Sequence, residues 1–291
     1  VFSPDGVLIN NKKTPVLPET ARFPGGFEDP RITKIGRDYF IVATGYDGKL
    51  PQICMFKTRN LAEPSAYEFV GVIGPKLDDK DAFFHPEKIK EGGKEKYLLY
   101  HRVSETGDIQ TVTFEDPAEL QGEAGEKFWQ KAMQPKELAK RTMMKKRPGT
   151  WENKLGGGAP PLETKDGWLF VYHASDENGV YRGGVALLDK NDPRKVIAKS
   201  PEPIMEPLKD YEKDGPVANV VFPQAAIKVA NAATPDDPDI FIYYGAADRN
   251  IVIGAEVNIG ARLQQAAAPG EVLAGATTHE LARDDVEFGE M

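Results

Sequence analysis

Trp168-Leu169-Phe170-Val171-Tyr172-His173 decides the fold. The run is aromatic and aliphatic until its last residue, and that composition suits a strand covered on both faces. Pro160 stands upstream of it, with a turn between. The same arrangement recurs along the chain: Pro30 leads to Tyr39-Phe40-Ile41-Val42-Ala43, Pro86 to Tyr97-Leu98-Leu99-Tyr100-His101, and Pro223, after a longer insertion, to Ile240-Phe241-Ile242-Tyr243-Tyr244-Gly245. The copies lie roughly 60 to 75 residues apart, somewhat more than the usual period of a propeller blade. A chain that repeats one strand-and-turn unit in this way stacks its units around an axis or along a line.

Each apolar run gives way to small and polar residues: Thr44-Gly45-Tyr46-Asp47, His101-Arg102-Val103-Ser104, His173-Ala174-Ser175-Asp176 and Ala246-Ala247-Asp248-Arg249. In a propeller of side-by-side strands these ends converge on one face, where the channel mouth is the expected site.

Composition supports a globular β protein, with 40% hydrophobic and 28% charged residues in 291. Residues 1–259 read as a single domain, and residues 260–291, first Ala- and Gly-rich and then acidic, as a helical or disordered extension. Residues 116–146 are rich in Glu, Lys, Gln and Ala and read as a helical or irregular insertion between blades. The net charge of -8 argues against nucleic acid and anionic membrane as partners and favours a neutral polar substrate. No stretch of about 18 apolar residues is present, and no signal peptide is visible, so the expected location is cytoplasmic. The single cysteine, Cys54, excludes an internal disulfide framework.

Chemistry-bearing residues gather at the prolines and strand ends. Gly26-Phe27-Glu28-Asp29-Pro30-Arg31 places two carboxylates and a guanidinium ahead of a strand, although Asp29-Pro30 also reads simply as a turn opener. Lys80-Asp81-Ala82-Phe83-Phe84-His85-Pro86 sets charge around an aromatic pair, a pattern shared by solvated lysines. Lys154 precedes Gly156-Gly157-Gly158, which would let backbone approach a ligand closely. The Gly-Lys-Ser/Thr of a phosphate loop is missing, and so is the Gly-x-Ser-x-Gly elbow of a serine hydrolase. None of His85, His101, His173 and His279 pairs with another at metal-ligand spacing, so neither a metal nor another cofactor is expected. Carboxylates, cations and aromatics together are the equipment of a sugar site.

Several motifs in order carry a resemblance: Glu28-Asp29-Pro30-Arg31, Phe84-His85-Pro86-Glu87-Lys88-Ile89, Lys154 with its glycines and Ala159-Pro160-Pro161, Gly167-Trp168 with Tyr172-His173, Tyr181-Arg182-Gly183-Gly184, Asn219-Val220-Val221-Phe222-Pro223, and Tyr243-Tyr244-Gly245-Ala246-Ala247-Asp248. From about Asp5 to about Ala255 the chain resembles glycoside hydrolase family 130, the β-mannoside phosphorylases and β-mannosidases. The resemblance implies a five-bladed β-propeller, here lacking most of the first blade, which family members carry ahead of Ser3-Pro4-Asp5-Gly6. It also implies inverting cleavage of a β-mannoside, with inorganic phosphate as co-substrate or water in its place.

Position by position, Asp29 matches the family's catalytic acid, acting through the 3-hydroxyl of the mannosyl group. Lys80, Arg102, Lys154, His173 and Tyr181 match the surroundings of phosphate, and Glu28, Arg31, Asp81, Glu212 and Asp248 fall among the substrate contacts. Where some members carry Arg-Asn this chain has Lys80-Asp81; a carboxylate there would repel phosphate unless Asp81 points outward. Phosphate needs cations and no base, so the basic cluster favours phosphorolysis. A hydrolase using Glu212 or another carboxylate as base is the alternative, and a non-catalytic sugar-binding propeller is a third. The linkage cleaved, the acceptor sugar and any homo-oligomeric assembly are left open.

Overall fold

The computed structural model describes residues 22–229 and 238–254. Among these residues the chain is all-β with a few helices, and four antiparallel sheets fall into two compact units, one ending at Lys145 and the other beginning at Lys146. The extension at 260–291 and the Ser3–Gly6 segment lie outside the described residues.

In the first unit, β1 (Phe27–Ile35), β2 (Asp38–Tyr46), β3 (Pro51–Thr58) and β4 (Glu68–Val72) form one sheet, each strand pairing with the next. The second sheet takes β5 (Asp79–Phe84), β7 (Lys94–Val103), β8 (Ile109–Phe114) and β9 (Thr142–Met144) in that order, with β6 (Ile89–Glu91) pairing to the start of β7. The helical insertion joins β8 to β9 and therefore lies inside this sheet, not between blades as its composition suggested. Asp116 and Pro117 start it: the Asp116 side chain accepts from Ala118 N–H and Glu119 reaches back to the cap, before helices α1 (Gly122–Ala132) and α2 (Pro135–Arg141). Trp129 of α1 is buried and donates its indole N–H to Ile73 O at 3.0 Å.

The second unit repeats the plan. Strands β10 (Lys154–Gly157), β12 (Trp168–Ser175), β13 (Tyr181–Leu188) and β14 (Val196–Lys199) form its first sheet, with β11 (Leu162–Glu163) paired to β12; helix α3 (Asp210–Lys213) then leads to β15 (Val221–Val229), β16 (Asp239–Ala246) and β17 (Asn250–Gly254).

All four apolar runs fall on the strand paired with the one at whose bulge or end the proline sits: β2 beside β1, β7 beside β5, β12 beside β10 and β16 beside β15. β12 is buried along its whole length, while β16 alternates buried with half-buried residues and so has one face less covered than its apolar sequence suggested. The prolines mark breaks in the neighbouring strand, because a residue without N–H cannot donate to a ladder. Pro30 sits in a bulge between Glu28 and Arg31, Pro223 opens an irregularity before Ala225, and Pro86 and Pro160 separate β5 from β6 and β10 from β11.

Core packing follows from the two-residue period of the strands. Phe40, Val42, Ile53, Met55, Phe84, Leu99 and Val112 bury against Leu120, Trp129 and Ala132, so the insertion completes the core of the first unit. In the second unit Leu169, Val171 and Val185 pack on Ile204, Ile240 and Ile242. Each such side chain contributes about 1.5–3 kcal/mol relative to exposure. No helix among the described residues is long and apolar enough to cross a membrane.

Candidate active site

Asp29 occupies the bulge of β1, where the register jumps from Glu28 opposite Thr44 to Arg31 opposite Val42. Its φ of 55° lies in the left-handed region, which short polar side chains tolerate better than most. Arg31 stabilises this turn of backbone: its Nη1 donates to Asp29 O at 2.9 Å. The bulge leaves the Asp29 side chain half-buried. Burial pushes its carboxyl above the ordinary carboxylate range; the nearby Arg31 charge pulls it down, Asp81 and Glu28 push it up, and Lys80 pulls it down. A carboxyl in such surroundings is suited to giving up a proton late, as a general acid must.

Arg31 and Asp81, both expected among the substrate contacts, are buried and paired with each other. Each is 1% exposed. Arg31 Nη2 reaches Asp81 Oδ1 at 3.3 Å, while Arg102 Nε reaches Asp81 Oδ2 at 2.7 Å. Asp81 therefore points inward, between two guanidiniums, and the repulsion expected from an added carboxylate is neutralised there. Arg102 continues the chain through Nη1 to Ser104 Oγ at 2.9 Å, and Ser104 donates to Asp78 Oδ1 at 2.7 Å. Lys80 lies directly opposite Arg102 in the β5–β7 register and approaches Glu28 at 3.4 Å, with both side chains partly exposed. The first unit thus brings together Glu28, Asp29, Lys80 and Arg102. His101 Nδ1 lies 2.7 Å from Asp79 Oδ2 in a fully buried contact that ties β7 to β5.

In the second unit β10, β12 and β13 place Lys154, Ser175 and Tyr181 in one row, and His173 beside that row on the same face, opposite Gly156 and Gly183. Phe222 of β15 lies against His173 with ring centroids 4.0 Å apart, and Tyr181 packs 6.0 Å from the same imidazole. A Cβ at Gly183 would meet Pro223 Cγ at 3.1 Å, so the glycine permits β15 to come this close. Gly158, the last of the three consecutive glycines, serves the same kind of packing: its Cβ would press on Val171 O at 2.9 Å and Pro223 O at 3.2 Å, which corrects the expectation of a ligand cradle at that residue.

Glu212 does not stand ready as a base. One carboxylate oxygen accepts from Leu208 N–H and Lys209 N–H, both at 2.8 Å, and the other accepts from Tyr244 hydroxyl at 2.8 Å. It caps α3 and fixes the loop before β15. Asp248 is exposed in the tight turn between β16 and β17, where Ala247 and Asp248 both have positive φ and Arg249 N–H returns to Ala246 O. Phe222, Ser104 and Ser175 were not among the expected site residues. Ser104 and Ser175 were visible as polar strand ends, and Phe222 as part of an ordered motif, but nothing local said which way each would face.

A family model described as beta-1,4-mannooligosaccharide phosphorylase matches residues 3–259. The chain belongs to glycoside hydrolase family 130. Relatives of this family 130 chain include a 1,2-beta-oligomannan phosphorylase from Thermoanaerobacter sp. (strain X514), 38% identical over 88% of this chain and 76% of its own length. A beta-1,2-mannobiose phosphorylase from the same organism is 38% identical over 86% of this chain and 73% of its own. Among solved structures, a beta-1,2-mannobiose phosphorylase from Listeria innocua in complex with beta-1,2-mannobiose aligns with a TM-score of 0.64 at 31% identity, covering 83% of this family 130 chain and 60% of the other.

Proposed function

We propose that this chain catalyses the inverting phosphorolysis of β-mannosides, β-1,2-linked ones first among them, releasing α-mannose 1-phosphate. The observation that carries the reading is Asp29, a half-buried carboxyl with raised proton affinity near Lys80, which lies opposite Arg102 in the β5–β7 register. The relatives' names support the substrate class, since both Thermoanaerobacter proteins and the Listeria protein are phosphorylases of β-1,2-mannosides. The fifth blade that the family resemblance implies belongs to the same proposal.

The chemistry is a single displacement. A phosphate oxygen bonds to the anomeric carbon from the face opposite the glycosidic oxygen, the bond to that oxygen breaks, and the departing oxygen takes a proton. Asp29 supplies that proton through the sugar's 3-hydroxyl and is left as a carboxylate. Lys80 brings compact positive charge to the phosphate, and Arg102 brings a planar fork of donors whose orientation Asp81 and Ser104 fix. Lys154, His173 and Tyr181 offer the second unit's own set of donors and aromatic surface, which the reading also assigns to phosphate. Glu28 and Asp248, both exposed, are assigned to sugar hydroxyls.

Hydrolysis would require a carboxylate base for water, and the engagement of Glu212 by three donors disfavours it in that role. The deciding experiment measures products from β-1,2- and β-1,4-mannobiose with and without inorganic phosphate. Mannose 1-phosphate formed only with phosphate is the expected result. Free mannose at equal rates in both conditions would replace the proposal with a hydrolase.

A further inference from the structure

Asp29 and Asp81 occupy the same place in consecutive sheets. In the first sheet the register jumps from Glu28 to Arg31; in the second it jumps from Lys80 to Phe83, and the residue after the jump begins is Asp29 in one and Asp81 in the other. Both have φ of 55°. The two carboxylates differ in surroundings: Asp29 is half-buried, whereas Asp81 is sealed in and accepts from Arg31 at 3.3 Å and Arg102 at 2.7 Å.

We infer that Asp81 sets the charge of the site for the same reaction: by neutralising Arg31 and Arg102 it leaves the Asp29 carboxyl in its proton-donating form. This rests on the reading of Asp29 as the acid. The charged groups around the two carboxylates come from each strand packed there: Glu28 and Arg31 on β1, Lys80 on β5, Arg102 on β7, and Asp78 behind Ser104. Three cations converge on this corner, and two are buried guanidiniums that cannot lose their protons. Without Asp81 their combined field would hold Asp29 ionised, because an opposite charge at short range favours the charged form of a carboxyl. With Asp81 in place, the field is partly cancelled and Asp29 gains a like-charged neighbour as well. Asp81 thus acts through the guanidiniums and through space, and it also aims Arg102 by accepting from Nε.

The test is the pH dependence of kcat/KM for phosphorolysis of β-1,2-mannobiose at saturating phosphate, in which the alkaline limb reports loss of the proton from the acid. In Asp81→Asn the acid should ionise sooner, moving that limb to lower pH by about one unit. Adding Arg31→Met to Asp81→Asn removes a whole ion pair. Arg31 acts on Asp29 more strongly than Asp81 does, so the limb should then return to or above its wild-type position. A limb that stays fixed in both variants, or that rises in Asp81→Asn, overturns the inference and leaves Asp81 a packing residue. Should Asp81→Asn fail to fold, the double variant is read against Arg31→Met alone: the single variant, which keeps Asp81, should have its limb at higher pH than the double, and coinciding limbs overturn the inference. Asp29→Asn separates the two levels. If it abolishes turnover while the limb never moves, only the role of Asp81 falls; if it remains active, the assignment of the acid falls with it.

Discussion

Arg31 holds Asp29 by its backbone: the guanidinium donates to the Asp29 carbonyl at 2.9 Å while its other arm reaches Asp81. The candidate acid is thereby fixed in a left-handed conformation by a buried residue that need not touch substrate. Arg31→Lys should fold with reduced stability and lose more kcat than substrate affinity, since a point charge cannot serve two acceptors in a fixed fork. Arg31→Met alone leaves Asp81 with one partner fewer in the interior and should cost about 3–5 kcal/mol, read by denaturant unfolding.

Asp29→Asn keeps the shape of the bulge and removes the proton. Turnover to mannose 1-phosphate should fall on the order of 100-fold or more, with an unchanged melting temperature. A loss of folding in place of a loss of rate would make Asp29 structural.

Arg102→Lys tests the proposed anion contact. The KM for phosphate should rise on the order of 10-fold, while the KM for the mannoside changes little, because losing the oriented guanidinium weakens charge-assisted hydrogen bonds to phosphate alone. Equal increases in both constants would argue that Arg102 supports the fold of the site in general.

Glu212→Gln distinguishes a cap from a base. The amide oxygen can keep the two backbone N–H donors, but its NH2 then faces Tyr244, whose hydroxyl must turn from donor to acceptor, and the charge that strengthens all three bonds is gone, so the protein should lose about 1–3 kcal/mol of stability. Phosphate-dependent turnover should survive in the folded fraction. Abolished turnover at full stability would restore Glu212 to the chemistry.

His85 predicts an acid-sensitive fold. Its imidazole is buried with Nδ1 3.1 Å from Tyr100 hydroxyl, and burial pushes its pKa down to about 3 from the ordinary 6.5. Between those values the unfolded chain binds a proton that the folded chain refuses, so His85 lowers stability as pH falls from 6.5 toward 3, at up to roughly 1.4 kcal/mol per pH unit. His85→Gln should flatten this part of a stability profile measured by denaturant unfolding, and an unchanged slope would mean that other groups set it.

The strand cores were readable because burial on both faces forces a continuous apolar run, and Trp168–Ser175 and Lys94–Val103 lie where those runs placed them. The direction of individual polar side chains was not readable. Asp81 enters the interior only because a bulge rotates it toward Arg31 and Arg102, and a bulge is a relation between two strands that no single segment encodes. Glu212 looked like a spare carboxylate until Tyr244, 32 positions along, was found to donate to it. Asp29 was singled out by the family resemblance, since Asp29-Pro30 by itself reads equally as the opening of a turn. The insertion's helices were visible in composition, but their attachment through β9 depends on pairing with Ile109 and Gln110.

Trp129 gives the insertion an optical use. The chain has three tryptophans, and Trp151 and Trp168 both belong to the second unit, so Trp129 is the first unit's sole indole. It is shielded from water, bonded to Ile73 O, and packed edge-on to His101 at 5.3 Å. In a background of Trp151→Phe and Trp168→Phe its emission would shift to longer wavelength only when α1 leaves the core, so fluorescence would show whether the half of the chain that carries Asp29 melts together with the rest or ahead of it.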